Sequence, residues 1–208
     1  SICSSDDNFA QHCAVMIYSL FSTNKESLYV VHIIGNGLSY DNREKIISIG
    51  KQFNQDVRFH QIDDRYMPNL KLRSNSPVSK AAYYRLFVTS VLTDDEIDRV
   101  LYLDCDIIIN RDISDIFKLD LKNFPVAAVR DDGNPRNETH QLKLGLSYSD
   151  RYFNSGVLLI NLKKWRELNC QLELISEAVR IGCQFFHDQD PLNAVFREQW
   201  LELPPSWN

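Results

Sequence analysis

Short apolar runs alternate with helical stripes along this chain. Ser1 to Ser5, Leu28 to Ile34, Val57 to Ile62, Val100 to Leu103, Val126 to Val129 and Gly156 to Ile160 have the length and apolar density of buried strands. Between the first two, Asn8 to Phe21 repeats its apolar residues at Phe9, Cys13, Met16, Ile17 and Leu20, the spacing of one helix face, with Asp6, Asp7 and Asn8 placed to cap it. A second unit runs from Leu28-Tyr-Val-Val-His-Ile-Ile34 through the turn Gly35-Asn36-Gly37 into a helix from about Tyr40 to Phe53. Strand-helix-strand units of this kind cross over right-handed and build a parallel sheet, so the pattern predicts an α/β fold.

Two carboxylates break this pattern. Asp104 and Asp106 interrupt Arg99-Val-Leu-Tyr-Leu-Asp-Cys-Asp-Ile-Ile-Ile109, a run otherwise suited to an interior strand, where an unpaired carboxylate is costly. Residues i and i+2 of a strand lie about 6.6 Å apart on one face, and a bend at the strand end brings them onto one cation. Oxygen donors suit Mn²⁺ or Mg²⁺ rather than zinc. In open sheets ligands sit beyond the carboxyl ends of the strands. Ser4-Ser5-Asp6-Asp7-Asn8 follows the first predicted strand and Asp131-Asp132 the fifth.

Other candidates carry competing structural explanations. Arg85 is the single internal cation of Lys80-Ala-Ala-Tyr-Tyr-Arg-Leu-Phe-Val88, a predicted helix, and there it calls for an anion or an ordinary salt bridge. Asn154, Ser155 and Gly156 stand where a loop enters a strand, and either a ligand or a plain turn accounts for them. In His187-Asp-Gln-Asp-Pro-Leu-Asn193 the Asp190-Pro191 pair reads as a helix start, which makes Asp190 a cap and leaves Asp188 and Gln189 just outside the helix.

Composition narrows the field. The 208 residues, 44% of them hydrophobic, suffice for one substantial core and hence one domain. A formal net charge of -5 offers no basic field for nucleic acid, and no nucleic-acid partner is expected, although a net value does not exclude local patches such as Lys163-Lys164 with Arg166. Cys3, Cys13, Cys105, Cys170 and Cys183 are odd in number and irregular in spacing, which favours reduced thiols and a cytoplasmic setting. The Asn137-Glu138-Thr139 sequon is of a kind common by chance. No segment is long enough to span a membrane. Neither a G-x-G-x-x-G nor a G-x-x-x-x-G-K phosphate loop is present.

Five motifs in register, Ser-Asp-Asp-Asn, Tyr-Tyr-Arg-Leu, Val-Leu-Tyr-Leu-Asp-Cys-Asp, Tyr-Phe-Asn-Ser-Gly-Val-Leu-Leu-Ile-Asn-Leu-Lys-Lys-Trp and Asp-Gln-Asp-Pro-Leu-Asn, resemble glycosyltransferase family 8 over nearly the whole chain. These are retaining sugar transferases with a GT-A fold, a Rossmann-like, mostly parallel sheet flanked by helices; they include bacterial lipooligosaccharide galactosyltransferases and resemble glycogenin. The resemblance implies that Ser4, Asp6 and Asn8 contact the uracil and ribose of a UDP-sugar, UDP-galactose or UDP-glucose. Asp104 and Asp106, with Cys105 between them in the nucleotide site, would hold Mn²⁺, or Mg²⁺ in its place, against the diphosphate. Val78 would offer a backbone contact to the nucleotide. Arg85, Asp131, Asn154, Ser155, Asp188 and Gln189 would surround the donor sugar, with Arg85, Asp131, Asp188 and Gln189 closest to the chemistry.

The acceptor implied is a glycan, a glycolipid or a glycosylated protein, met by the variable loops Arg65 to Ser76 and Asp132 to Ser147. Family members continue into a His-x-x-Gly-x-x-Lys-Pro-Trp segment, which does not follow Pro204-Pro205-Ser206-Trp207-Asn208 here. The expectation is a domain cut at both ends, with any peripheral membrane contact lying in residues beyond Asn208. Two alternatives stand beside a transferase: a truncated or inactive protein that binds nucleotide sugar without turnover, and a sugar nucleotidyltransferase, although the latter normally needs a glycine-rich loop after its first strand.

Overall fold

In the computed structural model, described for residues 1–63, 67, 70, 80–132, 138–147, 149–182 and 186–208, a seven-stranded mixed sheet carries helices on both faces. The strands are β1 (Ile2–Ser4), β2 (Val30–Gly35), β3 (Asp56–Gln61), β4 (Arg99–Leu103), β5 (Val126–Arg130), β6 (Phe153–Asn161) and β7 (Trp200–Leu203), in the spatial order β3-β2-β1-β4-β6-β5-β7. The described helices are α1 (Ala10–Thr23), α2 (Tyr40–Gln52), α3 (Ala81–Tyr84), α4 (Val88–Val91), α5 (Glu138–Lys143), α6 (Leu162–Glu167), α7 (Cys170–Ile181) and α8 (Gln189–Val195). The α/β, mostly parallel, single-domain expectation holds.

Alternation along each strand divides the core in two. Ile2, Ile34, Tyr102, Leu158 and Ile160 face one side and pack with Trp165, Leu174 and Leu192 from α6, α7 and α8. Cys3, Ile33, Leu101, Leu103 and Leu159 face the other and pack with Cys13, Met16, Ile17 and Leu20 of α1. β1 and β4 are buried on both faces, which explains their nearly continuous apolar sequence.

Topology places the site. β1, β2 and β3 step outward in one direction, and the chain then returns to lay β4 on the opposite side of β1, which makes the gap between β1 and β4 a topological switch point. β6 runs antiparallel to both β4 and β5. Its beginning therefore lies at the sheet edge where β4 and β5 end, and the Asp104 amide donates to the Gly156 carbonyl at 2.8 Å.

Several expectations need correction. Asn154 and Ser155 are residues of β6 rather than of a loop, because β6 starts at Phe153. The helix expected from Lys80 to Val88 tightens into a 3-10 turn at Arg85–Phe87, where the Arg85 side chain folds back on the Ala82 carbonyl. Asp190 is not a cap: Asp188 holds the N-cap position of α8, and the Asp190 carboxylate turns into the protein. β7 and α7 add to the predicted elements; α7 covers one face of the sheet with Leu174 and Ala178.

Candidate functional site

Arg85 is the hub of the site. It is buried, with its guanidinium 4.3 Å from the centre of the Tyr102 ring. It donates to the Ser155 carbonyl at 2.6 Å and to Asp104 Oδ1 at 2.7 Å, and its Nε lies 3.0 Å from Asp188 Oδ2. The sequence alternatives for Arg85, an anionic partner or a surface salt bridge, resolve into two carboxylates held inside the fold. Burial alone would lower the Arg85 pKa; Asp104 and then Asp188 outweigh it and hold the pKa above its ordinary value.

Asp104 also accepts from the Tyr102 hydroxyl at 3.1 Å. Burial pushes its carboxyl upward, Arg85 opposes that, and the neighbouring charges of Asp188 and Asp106 push it further up. Asp106, two residues on, is exposed and has no hydrogen bond or ion pair with any described residue. A Cβ added at Gly156 would lie 3.0 Å from Asp104 Oδ2, so the glycine keeps that second carboxylate oxygen open.

A hydrogen-bonded chain links this pair to the rest. Ser155 Oγ donates to Asp188 Oδ2 at 2.9 Å, the Ser155 amide donates to Gln189 Oε1 at 2.9 Å, and Gln189 Nε2 donates to Asp131 Oδ2 at 3.0 Å. Asp131 enters because its amide binds the Tyr152 carbonyl, just beyond the β5 and β6 ladder. Asp188 and Gln189, expected just outside the helix, are its N-cap and first residue, and both are buried. Asp104 and Asp188 thus share one arginine with Asp106 two residues on from Asp104, a gathering of carboxylates that suits a divalent cation.

The residues after β1 divide into two roles. Asp6 caps the 3-10 turn Asp7–Phe9, accepting from the Phe9 amide at 3.1 Å. Asp7 Oδ1 takes hydrogen bonds from the Ser39 amide, the Ser39 hydroxyl and Asn42 Nδ2, which tie the loop to the start of α2 and hold the Asp7 carboxyl below its ordinary pKa. Ser4 Oγ is buried and meets no hydrogen-bond partner among the described residues, a group that a bound polar ligand would satisfy. Asn8 is exposed at the same strand end. Cys105 is placed differently from its neighbours: its thiol is buried and donates to the Ser4 carbonyl at 2.8 Å, so its side chain faces the core and only its backbone is left for a ligand beside Asp104 and Asp106. Val78 lies outside the described residues, as does most of the Arg65 to Ser76 loop.

The sequence reading missed the scaffold behind Gln189. Asp190 accepts from the Tyr152 hydroxyl at 2.8 Å and from the Phe186 amide at 2.9 Å, and lies 2.7 Å from His140 Nε2. Asn193 grips β6 through the Phe153 amide and carbonyl, at 2.8 and 2.9 Å, and donates to the Gln189 carbonyl at 3.0 Å. The one signal in the sequence was spacing: Gln189 and Asn193 are four apart, hence on one face of α8.

Comparison with known proteins agrees with this fold. The family model described as glycosyl transferase family 8 matches residues 2–208. General stress protein A of Bacillus subtilis (strain 168) is 33% identical over 208 residues, covering 98% of this chain and 71% of that protein. A lipopolysaccharide 1,2-glucosyltransferase of Escherichia coli is 27% identical over 206 residues, covering 98% of this chain and 60% of that one. The crystal structure of the galactosyltransferase LgtC in complex with donor and acceptor sugar analogs superposes with a TM-score of 0.84 at 27% identity, over 97% of this chain and 72% of that one.

Proposed function

Because the chain belongs to glycosyl transferase family 8, we propose that it moves a hexose, galactose or glucose, from a UDP-sugar to a hydroxyl of a glycan, glycolipid or glycosylated-protein acceptor, with retention at the anomeric carbon. The observation that carries this reading is the pairing of Arg85 with Asp104 and Asp188 at the β1/β4 switch point, with Asp106 two residues on and one Asp104 oxygen left open by Gly156. Asp104 and Asp106 are the residues that would hold Mn²⁺, with Mg²⁺ as the second choice, since hard carboxylate oxygens match both. When bound there, the cation would offset the negative charge that builds on the departing diphosphate. The similarity to a lipopolysaccharide glucosyltransferase and to a galactosyltransferase leaves both hexoses in play. Family membership gives no support to the sugar nucleotidyltransferase alternative.

The protein's own groups bind and orient the donor. Ser4, Asp6 and Asn8 stand at the end of β1 to meet the uracil and ribose. Asn154, Ser155 and Asp188 face the sugar hydroxyls, and Asp131 and Ser155 fix the orientation of the Gln189 amide. Asp188 already engages Arg85 and Ser155, and a carboxylate so occupied makes a poor nucleophile. An amide is poorer still. This favours attack by the acceptor on the face from which the diphosphate leaves, with Gln189 beside the anomeric carbon and the leaving phosphate oxygen taking the acceptor's proton. The four described cysteines that are unpaired, Cys3, Cys13, Cys105 and Cys170, support action in a reducing compartment such as the cytoplasm. Among the described residues no helix is long and apolar enough to cross a membrane.

Calorimetry of UDP-galactose and UDP-glucose binding, with Mn²⁺ and with EDTA, tests the reading. Metal-dependent binding that is lost in Asp104→Asn/Asp106→Asn is the expected result, and the tighter ligand names the donor. Binding that ignores both EDTA and the double substitution would refute the metal site. Mass spectrometry of protein incubated with donor alone tests the chemistry: a covalent glycosyl adduct would refute same-face attack.

A further inference from the structure

Directly behind the donor site, three thiols from three separate elements meet in the core. Cys3 lies on β1, Cys13 on the inward face of α1, and Cys105 two residues past the end of β4; the first two are 0% exposed and the third 6%. The Cys3 and Cys13 sulfurs are 3.7 Å apart, and all three sulfurs lie within 4.8 Å of one another. With metal–sulfur bonds of about 2.3 Å, three sulfurs in a plane around one ion stand about 4.0 Å apart, so the cluster is within a small side-chain adjustment of that arrangement.

We propose that Cys3, Cys13 and Cys105 form a three-coordinate binding site for a soft, thiophilic metal ion, Cu(I). The ligand chemistry selects the ion. Thiolates disfavour the hard cations that suit carboxylates, so this site and the Asp104–Asp106 site sort metals by softness although Cys105 lies between the two aspartates. Met16, Ile17, Ile33, Leu103 and Val157 belong to the same buried apolar cluster as the three thiols. Zinc completes a tetrahedron, and among the described residues no fourth histidine, cysteine or carboxylate joins the trio. Cu(I) accepts three sulfur ligands and needs no fourth. Each sulfur that binds gives its proton to water, and the copper stays monovalent throughout. Binding ends the hydrogen bond from the Cys105 thiol to the Ser4 carbonyl.

The test is an anaerobic Cu(I) titration of the full chain against the chelator bathocuproine disulfonate, in a Cys170→Ala/Cys183→Ala background that keeps only the trio. One Cu(I) per chain retained against the chelator, with three sulfur neighbours in X-ray absorption, is the expected result. Adding Cys13→Ala should abolish retention while near-ultraviolet circular dichroism stays native. Should that variant fail to fold, Cys3→Ala is read in its place, and the absorption spectrum of the trio-only protein stands by itself. Copper fully surrendered to the chelator, a sulfur count below three, or retention after Cys13→Ala in a folded protein would each overturn the proposal. None of these readouts depends on the donor sugar or on Mn²⁺.

Discussion

Replacing Arg85 with Met removes the one cation that Asp104 and Asp188 share while keeping most of the apolar stem. The guanidinium makes two ion pairs of 2.7 and 3.0 Å and a 2.6 Å hydrogen bond to the Ser155 carbonyl, and its side chain is 7% exposed. Removing one partner of a buried pair costs about 3–5 kcal/mol, because the carboxylates left behind stay desolvated. The Asp104 side chain is 30% exposed, so water screens part of the loss and places the expected value near the lower bound. About 3 kcal/mol in a chain of this size lowers the melting temperature by about 6–12 °C. The effect should depend on pH in a stated direction. The Asp104 carboxyl is raised by burial and restrained by Arg85, so the substitution raises it further. A carboxyl raised in the folded state contributes stability below its unfolded pKa, and that contribution is lost as pH rises through the folded value. Urea melts of wild type and Arg85→Met at pH 7.5 and pH 5 should therefore show a large gap that narrows at the lower pH. A gap below about 1 kcal/mol, the range of an exposed pair, would show that Arg85 is not the electrostatic keystone described here, and a gap of constant size would show that the carboxylates are not its cause.

Three further outcomes follow from single contacts. Gly156→Ala puts a methyl 3.0 Å from Asp104 Oδ2 and from Asn154 Oδ1, so Mn²⁺-dependent donor binding should weaken about tenfold, about 1.4 kcal/mol, with little change in urea midpoint; unchanged binding by calorimetry would refute the close fit. Asn193→Leu strands the Phe153 amide and carbonyl in the core, at a cost of about 1–3 kcal/mol for each unsatisfied group, so chemical denaturation should register a loss of about 2–6 kcal/mol. His32 is held down at about 4 by burial first and then by the positive groups near it, so the folded state binds fewer protons than the unfolded one from pH 6.5 down to about 4. Wild-type stability should fall across that window and His32→Leu should flatten the fall, as read by urea melts at successive pH values; parallel curves would refute the assignment.

What the sequence made legible was whatever depends on local pattern. The periodicity of β1, α1, β2, α2 and β4 is carried by neighbouring residues, and the structure places those elements within a few positions of where it predicted them. Asp104 and Arg85 stood out because a charge in an apolar run needs a partner, although nothing in the spacing said that they partner each other across 19 residues. β7 was hidden because Trp200-Leu-Glu-Leu203 is four residues long and follows a polar stretch. Asp190 was misread for a different reason: Asp-Pro is an ordinary helix start by local rules, and only the fold brings His140 and Tyr152 to its carboxylate. The thiol cluster was invisible, since Cys3, Cys13 and Cys105 share no metal-binding spacing and meet only once α1 lies on the sheet.

The reversed direction of β6 has a consequence for the chain as it is made. Asp104 lies at the end of β4, its neighbour Gly156 belongs to a strand completed far later, and the Gln189 that locks onto Ser155 is later still. On a ribosome, where synthesis proceeds from the amino end, β1 to β4 emerge with Asp104 and Arg85 already made but without the strand that encloses them. The hydrogen-bonded edge that joins Ser155, Asp188 and Gln189 cannot exist in any amino-terminal fragment that stops before α8. A product terminated before that point therefore lacks the contacts of Ser155 with Asp188 and Gln189, and the hydrogen-bonded chain forms only once α8 has been made.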